Sequence, residues 1–241
     1  MTPTRIAFFD VDGTLTTGTT LFRFLRHYLA AQGHPPQEYE RRRGVLKAMT
    51  ESGAPRERTN LAYVENYEGA DLDTVTGLAR EWFAAELRQG GFLNPRALAA
   101  LRRHRRAGDL TVLVSGSIPA CLDPISDYLG THETHCTVPE VVDGRYTGRV
   151  TGPPMIGATK ADTLRAAAGT HGIPLDRCTA YGDHDSDLPM LRAAGSAAVV
   201  GGDGPLRALA RSYGWAVLPG APLPPPVPLP GPARAGTPVP G

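Results

Sequence analysis

The chain has little cysteine, almost no net charge and no long apolar run, and each shortage excludes something. Its 25 Lys and Arg against 24 Asp and Glu leave a formal charge of +1. That balance gives no global electrostatic basis for holding nucleic acid or an anionic membrane. The arginine clusters at 41–43 and in "RRHRR" (102–106) read as solvated helix faces. The three cysteines, Cys121, Cys136 and Cys178, are far apart and odd in number, with no C-x-x-C pair. A disulfide framework and an all-cysteine zinc site are therefore not indicated, and reduced thiols in a cytoplasm are the simplest arrangement. No apolar signal core precedes Asp10, and no run reaches membrane-spanning length. The expectation is a cytoplasmic protein with no nucleic acid and no membrane as partner.

What is present is a chain of 241 residues, 41% apolar and 20% charged, enough for one domain carrying a smaller insertion. Short apolar strands alternate with helical periods, which predicts an α/β fold with a mainly parallel, Rossmann-like sheet. "RIAFFD" opens it, followed by "LTVLVSGS" (110–117), "CTAYGD" (178–183), "AAVVGG" (197–202) and a short "WAVL" (215–218). Runs apolar on both faces imply helices on each side of the sheet. Asn94-Pro95 reads as N-cap and first residue of a helix that Gly108 ends. "IPACLDPISDYLG" carries another helix, interrupted by Pro124. Asp143-Gly144, between β-prone runs, predicts a two-residue hairpin.

Between Thr16 and about Gly91 no strand is convincing. Leu21, Leu25, Tyr28 and Leu29 form one amphipathic stripe, and Leu72, Val75, Leu78, Ala79, Trp82, Phe83 and Leu87 a longer one. Residues 16–91 are thus a helical insertion after the first strand, placed over the sheet's carboxyl edge, with 1–15 and 92–218 forming the core. From Pro219 to Gly241, ten of 23 residues are proline, a composition that predicts a disordered, extended tail.

Chemistry-bearing residues gather at the carboxyl ends of these strands: Asp10 and Asp12, Ser115-Gly116, Lys160, then Asp183 and Asp187. Ligands of open parallel sheets bind at this edge. Singly, each residue has a bland reading as turn, loop or cap; jointly they form a site. Carboxylates alone favour a hard cation, Mg2+, and a lysine with a hydroxyl suits phosphoryl oxygens. His132, His135 and Cys136 in "THETHCT" match no standard zinc spacing.

"FFDVDGTLT", "VLVSGS", Lys160 and "YGDHDSDLPML" match, in order, the four motifs of the haloacid dehalogenase-like (HAD) hydrolase superfamily. "LRRHRRAGDLTVLVSGS", "DGRYTGRVTGPP" and "SDLPMLRAAG" further resemble the subgroup containing phosphoserine phosphatase. The insertion resembles that subgroup's cap in position and helical character, little in sequence. The resemblance implies a Mg2+-dependent phosphatase acting on a small phosphorylated metabolite. Asp10 would be the nucleophile, forming an aspartyl-phosphate, and Asp12 the general acid and base. Asp10, the Asp12 carbonyl and Asp183 would hold the metal. Ser115, the Gly116 amide and Lys160 would bind phosphate oxygens, with Asp187 orienting metal-bound water and Lys160 from behind. Thr14 would support Asp12 by a hydrogen bond, while Thr19 and His184 could touch substrate.

The subgroup places an acidic residue nine positions after the nucleophile to receive the substrate's ammonium; here that position is Thr19. Ser186 stands where many relatives have Asn. Arg41, Arg42, Arg43, Arg56 and Arg58 are candidates for a substrate carboxylate or second phosphate. The alternatives are a phosphotransferase or phosphomutase using the same intermediate, and a non-catalytic phosphate-binding or scaffold protein.

Overall fold

The computed structural model describes residues 3–201 and 205–230. Strand β1 (Ile6–Phe9) leads directly into four helices, α1 (Thr20–Ala31), α2 (Pro36–Glu51), α3 (Arg56–Val64) and α4 (Leu72–Gln89). The chain then returns through α5 (Pro95–Ala107), β2 (Leu110–Ser115), α6 (Pro119–Leu129) and β3 (Glu133–Cys136). A hairpin of β4 (Pro139–Val142) and β5 (Arg145–Val150) precedes α7 (Ala158–Thr170), β6 (Cys178–Gly182), α8 (Leu188–Ala193), β7 (Ser196–Val200), α9 (Pro205–Ser212) and β8 (Ala216–Leu218).

Six parallel strands lie in the order β3-β2-β1-β6-β7-β8. The chain winds outward to one side of β1 and then to the other, so the switch point falls between β1 and β6. Side-chain alternation splits the sheet into two buried faces. Ala7, Phe9, Leu113 and Tyr181 pack with α5, α6 and the helical insertion. Ile6, Phe8, Val112, Val114 and Ala180 pack with α7, α8 and α9. Trp82 and Phe83 are core residues of the insertion, as their spacing predicts.

Local chemistry explains several ends. Asn94 accepts from the N–H groups of Arg96 and Ala97, and Gly108 takes the left-handed conformation that closes α5. Asp143 and Gly144, both at positive φ, turn β4 into β5.

Three points differ from, or add to, what the sequence predicts. Pro124 does not interrupt α6: it lacks the N–H that would reach the Ala120 carbonyl, yet the helix runs through it with Cys121, Leu122 and Ile125 buried. Strand β3, carrying His135 and Cys136, has no apolar signal because it is a half-buried edge strand. His132, just before it, and His135 within it serve as hydrogen-bonding groups, His132 Nδ1 accepting from Thr111 N–H at 3.0 Å and His135 meeting Glu133.

The third concerns the proline-rich segment. Residues 219–230 adopt no helix or strand but are packed rather than disordered. Arg23 donates to the Pro224 and Pro225 carbonyls at 3.0 and 3.1 Å, and Arg26 to Val227 at 2.7 Å. Val227 is buried, and Leu223 lies against Gly18. Proline carbonyls have no partner within an extended chain, so donors on α1 bind them. Residues 231–241 of the predicted tail lie outside the described residues. Among the described residues, no helix is long and apolar enough to cross a membrane.

Candidate active site

The carboxyl ends of β1, β2 and β6 bring the motif residues together. Asp10 follows β1 and its N–H donates to the Tyr181 carbonyl at 2.9 Å, locking it beside β6. Lys160, in the first turn of α7, is 3% exposed, and its Nζ lies 2.6 Å from both Asp10 Oδ1 and Asp187 Oδ1. The second oxygen of Asp187 accepts the N–H groups of Asp183 and His184, each at 3.1 Å. Both oxygens of Asp187 are thereby engaged, one with Lys160 and the other with the Asp183 loop. Ligand oxygens of Asp10, Asp183 and Asp187 fall within 4.8 Å of one another.

Gly13 is required here for two reasons. Its φ of +88° suits only glycine, and a Cβ would stand 2.2 Å from Asp183 Oδ2. Thr14 does not support Asp12 as expected; its hydroxyl donates to Asp183 Oδ1 at 2.8 Å. Asp12 is held instead by Thr20, whose N–H, at the start of α1, donates to Asp12 Oδ1 at 2.8 Å. A helix N-terminus thus faces the Asp12 carboxylate.

Burial dominates the electrostatics. It raises the Asp10 pKa, with Lys160 as the main opposing influence. Burial, then the Asp10 charge, pushes Asp12 up to about 6. Asp183 is pushed well above the carboxylate range by burial and by Asp10 and Asp187. Burial works against the Lys160 ammonium, but its two carboxylate partners outweigh that and hold its pKa above the ordinary value.

These groups form one wall of a cavity of about 630 Å³ between the sheet edge and the insertion. Ser115, Gly116, Asp12, Thr19 and His184 also line it, with Phe22, Leu46, Arg56, Thr59 and Asn60 coming from the helices. Thr19 is exposed; His184 has its Nδ1 turned back to accept from Ser186 N–H at 3.1 Å. Sequence reasoning missed Thr20, Asn60 and Thr59. The i, i+3, i+4, i+7 spacing of Arg56, Thr59, Asn60 and Tyr63 marks one helical face, the one signal that could have found the last two.

Of the five candidate arginines, Arg41 and Arg42 pair with Glu38 and Arg43 with Glu40. Arg56 is the one that lines the cavity.

Residues 7–192 match the family profile described as haloacid dehalogenase-like hydrolase. The chain belongs to that family and is an enzyme of it. It is 31% identical over 227 residues to a putative hydrolase of Mycobacterium leprae, covering 89% of this chain and 72% of that one. It is 33% identical over 221 residues to a phosphoserine phosphatase of Mycobacterium tuberculosis, covering 89% and 70%. A crystal structure of a Bordetella pertussis protein of unknown function superposes with a TM-score of 0.80 at 27% identity, covering 90% of this chain and 99% of that one. A phospho-aspartyl intermediate analogue of phosphoserine phosphatase superposes with a TM-score of 0.62 at 20% identity, covering 82% and 87%, and shares the fold.

Proposed function

We propose that this enzyme is a Mg2+-dependent phosphatase that hydrolyses a small phosphomonoester through an aspartyl-phosphate on Asp10, with residues 16–91 as a cap over the site. The observation that carries the reading is the cluster of buried Asp10, Lys160 and Asp187 with half-buried Asp183, in one cavity wall with Ser115 and Asp12.

The donor set fits a divalent cation. Three carboxylates, two of them buried and Asp183 half-buried, oppose a single buried ammonium, and Asp183 is driven toward its neutral form where no further positive charge balances it. Asp10, Asp183 and the Asp12 carbonyl are the groups that would hold Mg2+. When bound, the ion supplies positive charge beside the phosphoryl oxygens.

The chain's own residues do the rest. Lys160 keeps Asp10 anionic and aims one of its oxygens, so the other can attack phosphorus. As the phosphorus–oxygen bond to the leaving alcohol breaks, Asp12 gives that oxygen its proton. Water then attacks the phosphorus; Asp12 takes the water proton, and the bond to Asp10 breaks to release phosphate. An Asp12 pKa of about 6 suits a group that must give and take a proton near neutrality. Ser115 and the Gly116 amide face phosphoryl oxygens across the cavity.

Arg56 supports a substrate with a second anionic group, a carboxylate or phosphate, on its non-reacting side. A carboxylate to receive an ammonium is missing at Thr19, and a buried unpaired ammonium is costly. Phosphoserine therefore satisfies half of what the cavity offers. A screen of phosphorylated metabolites with Mg2+ tests the reading: release of phosphate is expected, strongest for substrates with a second anion. Asp10→Asn should abolish it, and full activity in that variant would sink the mechanism.

A further inference from the structure

Asn60 belongs to the helical insertion, yet the core uses both ends of its amide. Nδ2 donates to the Gly116 carbonyl at 2.6 Å, and Oδ1 accepts the Thr137 hydroxyl at 2.9 Å. The Thr137 oxygen in turn accepts the Met155 N–H at 3.0 Å. The two contacts fix the orientation of the amide, since a carbonyl needs the NH2 end. Asn60 is 7% exposed, so these bonds form away from competing water.

The Gly116 carbonyl is one end of a planar trans peptide whose other end is the Ser117 N–H. That N–H donates to Ser115 Oγ at 3.2 Å. Holding the carbonyl therefore aims the N–H, and the N–H holds the Ser115 hydroxyl oxygen. An oxygen that accepts there keeps its own O–H free to donate into the cavity. A second tie runs parallel to the first: Ser117 Oγ meets Thr20 Oγ1 at 2.8 Å, and Thr20 N–H holds Asp12. Along the α3 face, Tyr63 bonds within the insertion, to the Leu21 carbonyl and Tyr67 hydroxyl. Asn60 is the residue of that face that reaches the phosphate loop.

We infer that Asn60 is a positioning residue: seating of the insertion on the sheet edge, through Asn60 and the 116–117 peptide, sets the Ser115 hydroxyl that receives the phosphoryl group. The inference rests on Ser115 being a phosphate-binding residue, as proposed above. It makes the cap part of the phosphate site, in addition to its role in shaping the cavity.

The test compares the parent protein with Asn60→Ala, Asn60→Asp and Thr137→Val, measuring kcat, KM and inhibition by inorganic phosphate on an aryl phosphate. Asn60→Ala should weaken phosphate inhibition and lower kcat/KM by about tenfold to a hundredfold. Asn60→Asp is nearly isosteric and still accepts from Thr137, but has no donor for Gly116, so it should show the same defect. Thr137→Val keeps that donor and should be inhibited by phosphate like the parent while melting lower. A purely structural role predicts lower melting in all three with phosphate inhibition unchanged. Phosphate inhibition and kcat/KM within about twofold of the parent for Asn60→Asp overturns the inference alone. A parent that releases no phosphate overturns the functional reading and this inference with it.

Discussion

Lys160→Met replaces a buried ammonium by an apolar chain of similar length, and the structure sets the size of the effect. Nζ lies 2.6 Å from one oxygen of each of two carboxylates, all three side chains being at most 6% exposed. At that distance each pair attracts by about 6 kcal/mol with an effective dielectric of ~20, and desolvation offsets much of it. Removing one partner of such a buried pair costs roughly 3–5 kcal/mol, because the remaining charge is left uncompensated. For a chain of this size that is a fall in Tm of roughly 6–20 °C. The same loss removes the main influence that opposes the raised pKa of Asp10, so that pKa should rise further and less of the proposed nucleophile should be anionic. Activity should fall by at least about a thousandfold. The pH dependence has a definite sign. The variant's folded state binds protons that the unfolded chain has released, so its stability deficit should shrink as pH falls from 8 towards 5. Thermal melts across that range and phosphate release from an aryl phosphate measure both effects. Activity within about tenfold of the parent, or a Tm deficit independent of pH, would refute the charge balance argued here.

Asp12 must be protonated to expel a poor leaving group, so kcat/KM for an alkyl phosphate should decline as pH rises through about 6. An aryl phosphate, which needs less protonation, should give a flatter profile; identical profiles would remove Asp12 from that role. Folding stability should also fall between the ordinary value of 3.8 and about 6, because the folded protein there holds a proton that the unfolded chain has lost. Gly13→Ala should abolish turnover while leaving the protein folded, since its Cβ must displace the Asp183 carboxylate 2.2 Å away; near-parental kinetics would contradict the geometry. Truncation after Leu218 removes buried Val227, worth about 2 kcal/mol, and should lower Tm by roughly 4–8 °C. An unchanged melt would show that the proline segment contributes nothing to the fold.

Much of the fold was legible because it rests on short-range chemistry. The apolar runs of β1, β2, β6 and β7 are buried on both faces, and such runs declare themselves without knowledge of their neighbours. Asn94-Pro95 and Asp143-Gly144 act through their own backbone. The order of the four motifs brought Asp10, Ser115, Lys160, Asp183 and Asp187 to one edge, because parallel strands place their carboxyl ends together. Strand β3 was illegible since a polar, half-buried edge strand has no period to detect.

The sequence by itself determined the set of candidate residues and the edge at which they meet. Only the tertiary structure decided how they are held. Thr14 serves Asp183, 169 residues away, while Asp12 is held by the N–H of Thr20. Asn60 reaches Gly116 across the cavity, and the proline segment lies along α1 as packed chain. Each of these contacts joins a donor to an acceptor that is distant in the chain or belongs to another element. A hydrogen bond depends on distance and direction in space, and neither leaves a periodic trace along the chain.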